Sequence, residues 1–511
     1  MGFIKPGRGG SAPSQHLPQE NYQLTNTFIM DVIIQIFKLL FEMLEGLINF
    51  SFEAIELCFS PRKKEYNAEF ASQGALLSRY NHGFCLTGRR NLTVKDSFQN
   101  ALIIGGTGTG KSSVVLIPSL FTMRSSFIVH DPSGELFLKS AGYLKGKGYE
   151  IKVLNFANPE NSSGYNPLSR ANSSSDIQKV ASMLVENALG GKTKDPFWNT
   201  QATALLAMLI GILKKQGNGF QDLYNVRQLL NRLGGSPESV DALFSKYADE
   251  VLFAEYKSFI AYDEKVISGV IATCKASLQI FNDEAVARVT SFDNLNFLDF
   301  RKNPTVLYIM NSVADQKYYS VLTSIFFEQF FAFLLGRFPN GDEKDIFLLI
   351  DEASSLNLPT LPLAVANVRK HRSGVMLLVQ DFSQLVHHYG KYDADGIKSN
   401  CFAKMYFTGT SLETAKELEQ TLGKYQFEDD KKRTVVRSLM TNNEIRTMDV
   451  RRALLVCGHY PPIIGRLRPY YKNSIYNGYS KIPAPEIENS ESPEKIAILP
   501  MNVADREKDE Q

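Results

Sequence analysis

Apolar residues form two kinds of pattern along the chain. Short continuous apolar runs lie at 101–104, 127–129, 306–310, 346–350 and 375–379, and each is followed by glycine or a polar residue. Such runs are typical of strands that are buried on both faces of a parallel sheet. Between 173 and 294 the apolar residues instead recur at helical spacing. The sequence therefore predicts an α/β domain with a mainly parallel sheet, interrupted by an all-α insertion.

The same patterns divide the chain into segments. No secretion signal is expected at the start, because the first apolar run begins late and no small-residue cleavage site follows it. We predict, in order, a flexible arm (1–26), an amphipathic helix (27–60), the first part of the α/β domain (61–172), the all-α inserted domain (173–300), the second part of the α/β domain (301–475) and a disordered, acidic, Pro-rich tail (476–511).

Residues 28–58 combine a wide apolar surface with a polar stripe. Polar residues recur at steps of three or four, at Asp31, Gln35, Lys38, Glu42, Glu45, Asn49, Glu53 and Glu56. A helix with this many charges rarely spans a bilayer, and an acidic stripe is less typical of lipid binding than a basic one. The pattern favours a helix that packs against a partner or its own bundle, with a membrane-surface helix and a spanning helix as alternatives.

The composition is that of an intracellular globular protein. With 511 residues, 22% charged residues and a net charge of +2, the chain is long enough for two or more domains and lacks the charge excess of a nucleic-acid tail. The five cysteines lack metal-binding spacing, which predicts reduced thiols in a cytosolic protein and neither a disulfide nor a zinc site.

Any site for a polyanion must therefore be local. Basic stretches lie at 62–64, 431–433 and 451–472. The last stretch interleaves arginines with tyrosines, which could contact phosphates and stack on single-stranded bases. Its apolar residues are also typical of an ordinary terminal strand, so both interpretations stay open.

The sequence ALIIGGTGTGKSSVVL, residues 101–116, contains the phosphate-binding loop of nucleoside triphosphatases. The spacing Gly-x4-Gly-Lys-Ser stands between a predicted strand and a predicted helix, which is the context that gives this motif its meaning. The glycines let backbone N–H groups point at phosphate oxygens, while Lys111 would reach the β and γ phosphates of ATP and Ser112 would hold Mg²⁺. The predicted ATP-binding residues are Gly105, Gly106, Thr107, Gly108, Thr109, Gly110, Lys111, Ser112 and Ser113. The alternative is a glycine-rich turn with an unrelated lysine.

A second buried run, in DIFLLIDEASSL at 345–356, ends in two acids. Open α/β sheets bind ligands at the carboxyl ends of their strands, and a triphosphatase needs acids there. We assign Asp351 to the Mg²⁺ shell and Glu352 to activation of the attacking water. The alternative is a strand that simply meets solvent at its end.

The order of motifs resembles that of the type IV secretion coupling proteins, which are ring-forming ATPases that deliver relaxase-bound DNA or protein substrates to a conjugation or secretion channel. The resemblance covers about residues 80–475. Its further motifs are DPSGE, DPFW, VRKHRSGVMLLVQDFSQL, IKSNCFAKMYFTGTSLETAKELEQTLG, RSLMTNNEI and LVCGHYPPI. It implies a RecA-like P-loop domain, ATP and Mg²⁺ as cofactors, a hexameric homo-oligomer, and contacts with DNA, a relaxase or secreted proteins and channel components.

The resemblance also implies roles for three further residues. Gln380 stands where the family has its γ-phosphate sensor, and Arg369 or Arg372 stands where similar ring ATPases have an arginine that reaches a neighbouring subunit's nucleotide. The alternative for the arginines is a solvated basic patch.

Two departures from the family pattern limit what can be carried over. Many members have lysine where Ser133 stands in DPSGE, and most begin with two membrane-spanning helices instead of one striped segment. We therefore expect a cytoplasmic protein that is peripheral at the cell membrane rather than integral. A general double-strand DNA translocase, or a nucleotide-binding receptor or scaffold without motor activity, are the alternative functions.

Overall fold

The computed structural model describes residues 35–48, 66–189, 196–217, 219–311, 313–488 and 491–500. The chain divides into two compact units, Met1–Asn67 and Ala68–Gln511. In the first unit, residues 35–48 form helix α1, and all its side chains are exposed, including apolar ones such as Phe37 and Phe41. The rest of the predicted helix 27–60 and the predicted arm 1–26 lie outside the described residues.

The second unit is built on a nine-stranded sheet in the order β11-β10-β7-β1-β6-β5-β2-β4-β3. The strands from β3 across to β7 are parallel to their neighbours, while β10 and β11 are antiparallel. The strands are β1 (Ala101–Ile104), β2 (Ser126–His130), β3 (Glu150–Leu154), β4 (Thr305–Ile309), β5 (Ile346–Ile350), β6 (Ser373–Val379), β7 (Ala403–Phe407), β10 (Arg452–Cys457) and β11 (Ile463–Arg466). The predicted fold class, an α/β domain with a mainly parallel sheet, is confirmed.

Helices cover both faces of this sheet. Every residue of β1, β2, β4, β5 and β6 is buried, which explains their continuous apolar runs. Alternate side chains face opposite cores: Leu102 and Ile104 belong to one apolar cluster, and Ala101 and Ile103 to the other. The helices of the α/β part are α2 (Val94–Ser97), α3 (Ile117–Thr122), α4 (Glu135–Gly146), α13 (Gln316–Gly336), α14 (Leu361–Asn367), α15 (Phe382–Ser399), α16 (Leu412–Leu422), α17 (Asn442–Arg446) and α18 (Ser474–Tyr479).

A run of helices lies between β3 and β4, where the sequence predicts the all-α insertion. These helices are α5 (Ser174–Leu189), α6 (Pro196–Gln216), α7 (Leu223–Leu233), α8 (Glu238–Tyr247), α9 (Glu250–Ile260), α10 (Glu264–Ser277), α11 (Glu284–Thr290) and α12 (Asp299–Lys302). Their buried side chains share one continuous apolar cluster with one face of the sheet. The insertion therefore packs as part of the same compact unit.

Two helices in the described part of the chain, α6 and α13, are long and apolar enough to cross a membrane. About half of each is buried inside the protein, 50% for α6 and 56% for α13. In α13 the rings of Phe326, Phe327 and Phe330 are fully buried. Packing in the core explains their apolar composition without a membrane.

The C-terminal region differs from the predicted disordered tail. Helix α18 packs its Tyr479 ring on Tyr143, with 4.1 Å between centroids. Farther on, Leu499 is buried, and its N–H donates to Asn225 Oδ1 in the insertion at 2.9 Å. The described residues of this region are ordered because they bury apolar side chains against the folded unit. Residues 501–511 lie outside the described part.

A small two-stranded sheet stands apart from the main one. Its strands, β8 (Lys424–Glu428) and β9 (Thr434–Ser438), are antiparallel and mostly exposed. The basic stretch 431–433 lies in the turn between them.

Candidate nucleotide-binding site

The order of the parallel strands brings the predicted site residues to one edge of the sheet. β1 lies beside β6, β6 beside β5, and β5 beside β2. Because these strands are parallel, the loops that follow them leave the same edge. The phosphate-binding loop after β1, Gln380 after β6, and Asp351 and Glu352 after β5 thus become neighbours. We call this side of the sheet the carboxyl edge.

The loop 105–111 has the backbone that its glycines allow. Gly108 and Gly110 have φ of +75° and +92°, which side chains disfavour. A Cβ on Gly105 would lie 2.7 Å from Cβ of Phe407, so a larger residue would not fit there. The turn is tied by the Thr109 hydroxyl, which donates to the carbonyl of Gly106 at 2.8 Å.

The helix that follows the loop starts with a wide turn. Residues Ser112–Leu116 form a π-helical turn that continues into α3. Pro118 lacks the N–H that would bond the carbonyl of Val114, and its ring would clash with that carbonyl. A widened turn relieves this conflict, and such turns are frequent at functional sites. Ser112 and Ser113 thus begin a helix whose N-terminus adjoins the glycines; Ser113 donates to the carbonyl of Gly110 at 3.1 Å.

Lys111 lies over the loop that it would use to hold phosphate. Its ammonium group donates to the carbonyl of Gly105 and, at 3.1 Å, to the carbonyl of Gly106. Burial lowers the pKa of Lys111, and the charges of Asp351 and Glu352 oppose that shift. The cation is therefore held between the loop and the acids of β5.

Ser112 and Asp351 form the predicted metal-binding pair. The Ser112 hydroxyl donates to Asp351 Oδ2 at 3.2 Å. Burial is the main reason that the pKa of Asp351 is raised to about 6. A hydroxyl and one carboxylate fit Mg²⁺, which keeps several waters and takes further oxygens from phosphates. Within the described ranges, no group of three or more His, Cys, Asp and Glu side chains could hold a metal.

Glu352 and Gln380 are in direct contact. The Gln380 amide donates to Glu352 Oε1 at 2.6 Å. Glu352 has φ +59° and ψ 54°, in the left-handed region that non-glycine residues rarely adopt. In this conformation its carboxylate contacts the Gln380 amide. A carboxylate beside an amide can accept a proton from water and orient that water.

Arg369 and Arg372 do not join these residues. They precede β6, so they lie at the opposite, amino edge of the sheet, and the seven residues of β6 span about 20 Å. Arg372 bonds to Asp345 at 2.8 Å and to the carbonyls of Asn340 and Gly341, both at 3.0 Å. Arg369 is exposed and donates to Gln99 Oε1 at 3.1 Å.

The DPSGE motif stabilises the start of α4. Asp131 is buried and accepts the N–H of Phe137 at 2.8 Å, so it holds the first turn of that helix. Burial raises the pKa of Asp131 to about 6. Glu135 is exposed.

The sequence analysis missed His130, the residue before Asp131, whose Nδ1 lies 2.6 Å from the carbonyl oxygen of Asp351. Its only signal was a polar residue at the end of an apolar run.

Most of the exposed basic residues in the stretch 451–472 lie at one end of the β10–β11 hairpin. Arg452 and Arg466 are paired across β10 and β11 at the carboxyl edge. Tyr460 follows β10 at the other end of the strand, and Tyr470 is buried. Only Tyr460 is thus separated from the rest, because the exposed Tyr471 lies at the same end of the hairpin as the basic residues, which are Arg451, Arg452, Arg466, Arg468 and Lys472.

Comparison with known proteins agrees with the motif order. A profile of the family described as type IV secretory system conjugative DNA transfer matches residues 59–496. The chain is 25% identical over 453 residues to the conjugal transfer protein TraG of Escherichia coli, covering 76% of this chain and 70% of TraG. It is 21% identical over 402 residues to VirD4 of Rhizobium radiobacter, covering 73% of this chain and 57% of VirD4. The match thus spans little more than half of VirD4.

Solved structures show the same fold. The bacterial conjugative coupling protein TrwBΔN70 aligns with a TM-score of 0.64 at 19% identity, covering 79% of this chain and 95% of that chain. TrwB in complex with ADP and Mg²⁺ aligns with a TM-score of 0.62 at 19% identity, covering 80% and 95%. At this level of identity the similarity concerns the fold alone.

Proposed function

The chain belongs to the family of type IV secretory system conjugative DNA transfer proteins, and from this premise we propose that it is a P-loop ATPase that couples ATP hydrolysis to delivery of a substrate. The substrate is DNA, as a complex with a relaxase, or a secreted protein, and the destination is a type IV secretion channel. The observation that carries the proposal is the set of contacts at the carboxyl edge, from Lys111 through Asp351 to Glu352 and Gln380.

Each of these groups has a role in phosphoryl transfer. The loop N–H groups and Lys111 bind the β and γ phosphates of ATP, with Lys111 leaving its loop carbonyls to do so. Ser112 and Asp351 would hold Mg²⁺, which would neutralise charge on the phosphate oxygens. Glu352 accepts a proton from the attacking water, and the Gln380 amide keeps that water in line with the γ phosphate. TrwB, which shares the fold, has been solved with ADP and Mg²⁺ and with non-hydrolysable GTP and ATP analogues.

The active form is a ring, a hexamer by family resemblance, in which an arginine completes the site of the neighbouring subunit. The position of Arg369 and Arg372 at the amino edge keeps both far from the phosphate-binding loop of their own chain. Arg372 is bound to Asp345 and two backbone carbonyls. Arg369 is exposed. We therefore favour Arg369 as the residue that acts on the neighbour.

The protein works at the cytoplasmic side of the cell membrane as a peripheral component of the secretion apparatus. Support comes from α1, whose apolar side chains are exposed within the first unit. A membrane surface or a channel component would cover them.

Turnover of ATP by the purified full-length chain, with and without DNA, tests the proposal. We expect Mg²⁺-dependent hydrolysis of ATP. The specific activity, which is the rate per chain, should rise with protein concentration and should be stimulated by DNA of unrelated sequences. The stimulation should fall steeply with salt, because phosphate contacts release counterions. A chain that binds ATP without hydrolysing it, at any concentration and with or without DNA, would instead be a nucleotide-binding scaffold.

A further inference from the structure

We propose that His130 is a positioning residue for ATP hydrolysis and that, together with Ser355, it fixes the backbone on both sides of Glu352. This proposal rests on the proposed function, in which Glu352 accepts the proton of the attacking water. Neither residue would touch the substrate. Both act by holding Glu352 in its left-handed conformation.

His130 holds the peptide that precedes Glu352. It ends β2, directly beside Ile350 in the register of β2 and β5. The residue is 1% exposed, and the edge-on neighbour of its ring is the ring of Phe327. Nδ1 lies 2.6 Å from the carbonyl oxygen of Asp351. Since a carbonyl can only accept, Nδ1 carries the hydrogen, and the bond fixes the plane of the peptide between Asp351 and Glu352.

Ser355 holds the peptide that follows Glu352. Its N–H and its hydroxyl both donate to the carbonyl of Glu352, at 2.9 Å and 2.8 Å. The hydroxyl in turn accepts from the Gln316 amide at 2.7 Å, so its hydrogen is directed to Glu352. Gln316 is the first residue of α13. The hydrogen bonds thus reach from the amino end of α13 to the backbone carbonyl of Glu352, the proposed catalytic base.

The two bonds together explain an otherwise disfavoured conformation. A non-glycine residue at φ +59° is strained by its Cβ, and such strain persists where the surroundings hold it. With both flanking peptide planes fixed, φ and ψ of Glu352 are fixed as well. If one plane were released, Glu352 could relax to an ordinary conformation, and its carboxylate would turn away from Gln380.

A matched pair of substitutions at His130 separates the hydrogen bond from the packing. The amide nitrogen of asparagine is the same number of bonds from Cα as Nδ1, so His130→Asn keeps the donor, whereas His130→Leu has a similar shape without it. We expect His130→Leu to lower kcat by about tenfold to a hundredfold, as small misplacements of catalytic groups do. KM for ATP and the Kd of a fluorescent ATP analogue should change by less than about twofold. His130→Asn should recover most of kcat.

Ser355→Ala and a double substitution complete the test. Ser355→Ala should lower kcat with unchanged nucleotide affinity, and it decides the matter if His130→Leu does not fold. In a Glu352→Gln background, His130→Leu should add less than about a twofold loss, because residues that act as a unit are not additive.

Different results would overturn the two proposals. If the unmodified chain does not hydrolyse ATP, the proposed function fails. If Glu352→Gln turns over ATP like the unmodified chain, water activation belongs to another residue, and this inference fails while the ATPase function stands. If Glu352→Gln abolishes turnover while His130→Leu and Ser355→Ala keep it, this inference alone is wrong. It is equally wrong if His130→Asn and His130→Leu show the same decrease in kcat and the same decrease in melting temperature. His130 would then be a packing residue.

Discussion

The two edges of the central sheet differ in the main partners of their polar side chains. At the carboxyl edge, side chains bond to one another: Ser112 to Asp351 at 3.2 Å and Gln380 to Glu352 at 2.6 Å. At the amino edge, Arg301 and Arg372 donate mainly to backbone carbonyls, although Arg372 also bonds to Asp345 and the exposed Arg369 donates to Gln99 Oε1. Arg301 is buried and donates to the carbonyls of Lys344 and His371 at 2.9 Å and 2.7 Å.

This difference separates groups that are available to a ligand from groups that hold the fold together. Bonds between side chains can be exchanged for bonds to phosphate or Mg²⁺ without unfolding the loops that carry them. The hydrogen bonds from Arg301 to the carbonyls of Lys344 and His371 hold together the segments that precede β5 and β6. Burial of this arginine lowers its pKa to about 10. An arginine at the amino edge is therefore structural unless, like Arg369, it is exposed.

The largest expected effect concerns Arg369. If it completes the neighbour's site, Arg369→Ala should lower turnover by about a thousandfold, as loss of an arginine supplied in trans does. Mixing this variant with Lys111→Ala subunits, which are also inactive, should restore some activity in mixed rings, because one kind of shared site keeps both residues. Specific activity should also rise with protein concentration. Mixed rings without recovery, and a rate per chain that is flat on dilution, would make Arg369 a solvent- or DNA-facing residue.

The second largest effect is expected for Glu352, the acid at the carboxyl edge that is proposed to activate water. Glu352→Gln should bind ATP and lose turnover by about a hundredfold or more, because a group that acts in the transition state is removed. Lys111→Ala should instead weaken nucleotide binding. Binding of a fluorescent ATP analogue and steady-state phosphate release distinguish the two. An unchanged rate in Glu352→Gln would assign water activation to another residue.

Arg301 tests the structural role of the amino edge. Arg301→Met has a similar length and lacks the donors, so the carbonyls of Lys344 and His371 lose a buried partner. We expect the free energy of unfolding to fall by about 2–3 kcal/mol, with unchanged nucleotide affinity of the folded protein. Lys302→Met, at the exposed neighbour, is the control and should unfold like the unmodified chain in urea. Equal unfolding of both variants would contradict the proposed role.

The smallest effect is expected at Arg372. Its ion pair with Asp345 is partly exposed, with side-chain exposures of 35% and 21%, so Arg372→Ala should lower the free energy of unfolding by only about 1 kcal/mol. Turnover should stay within about twofold of the unmodified chain. A loss of turnover as large as that of Arg369→Ala, with unchanged urea unfolding, would show that Arg372 is the residue acting in trans.

Local patterns were sufficient to predict the fold class and several local features of the site. A buried parallel strand needs a continuous apolar run, and a phosphate-binding loop needs glycines followed by lysine and serine within one short segment. Both requirements concern residues that are close in sequence. They can therefore be recognised without knowing which distant residues these segments contact in the folded protein. The same holds for the acids at 351 and 352, which directly follow the apolar run of β5.

Tertiary structure decided which of these groups meet. Ser112 and Asp351 are 239 residues apart and bond only because β1, β6, β5 and β2 are consecutive in the sheet. The same order places the His130 ring beside the carbonyl of Asp351. Arg369 and Arg372 lie at the other edge because they precede β6, the strand that separates Arg372 from Gln380. The folded unit also gives the C-terminal residues a surface on which they pack. A prediction of disorder from composition takes no account of such a surface. Long-range packing sets these contacts, and the sequence near each residue carries no record of its distant partner.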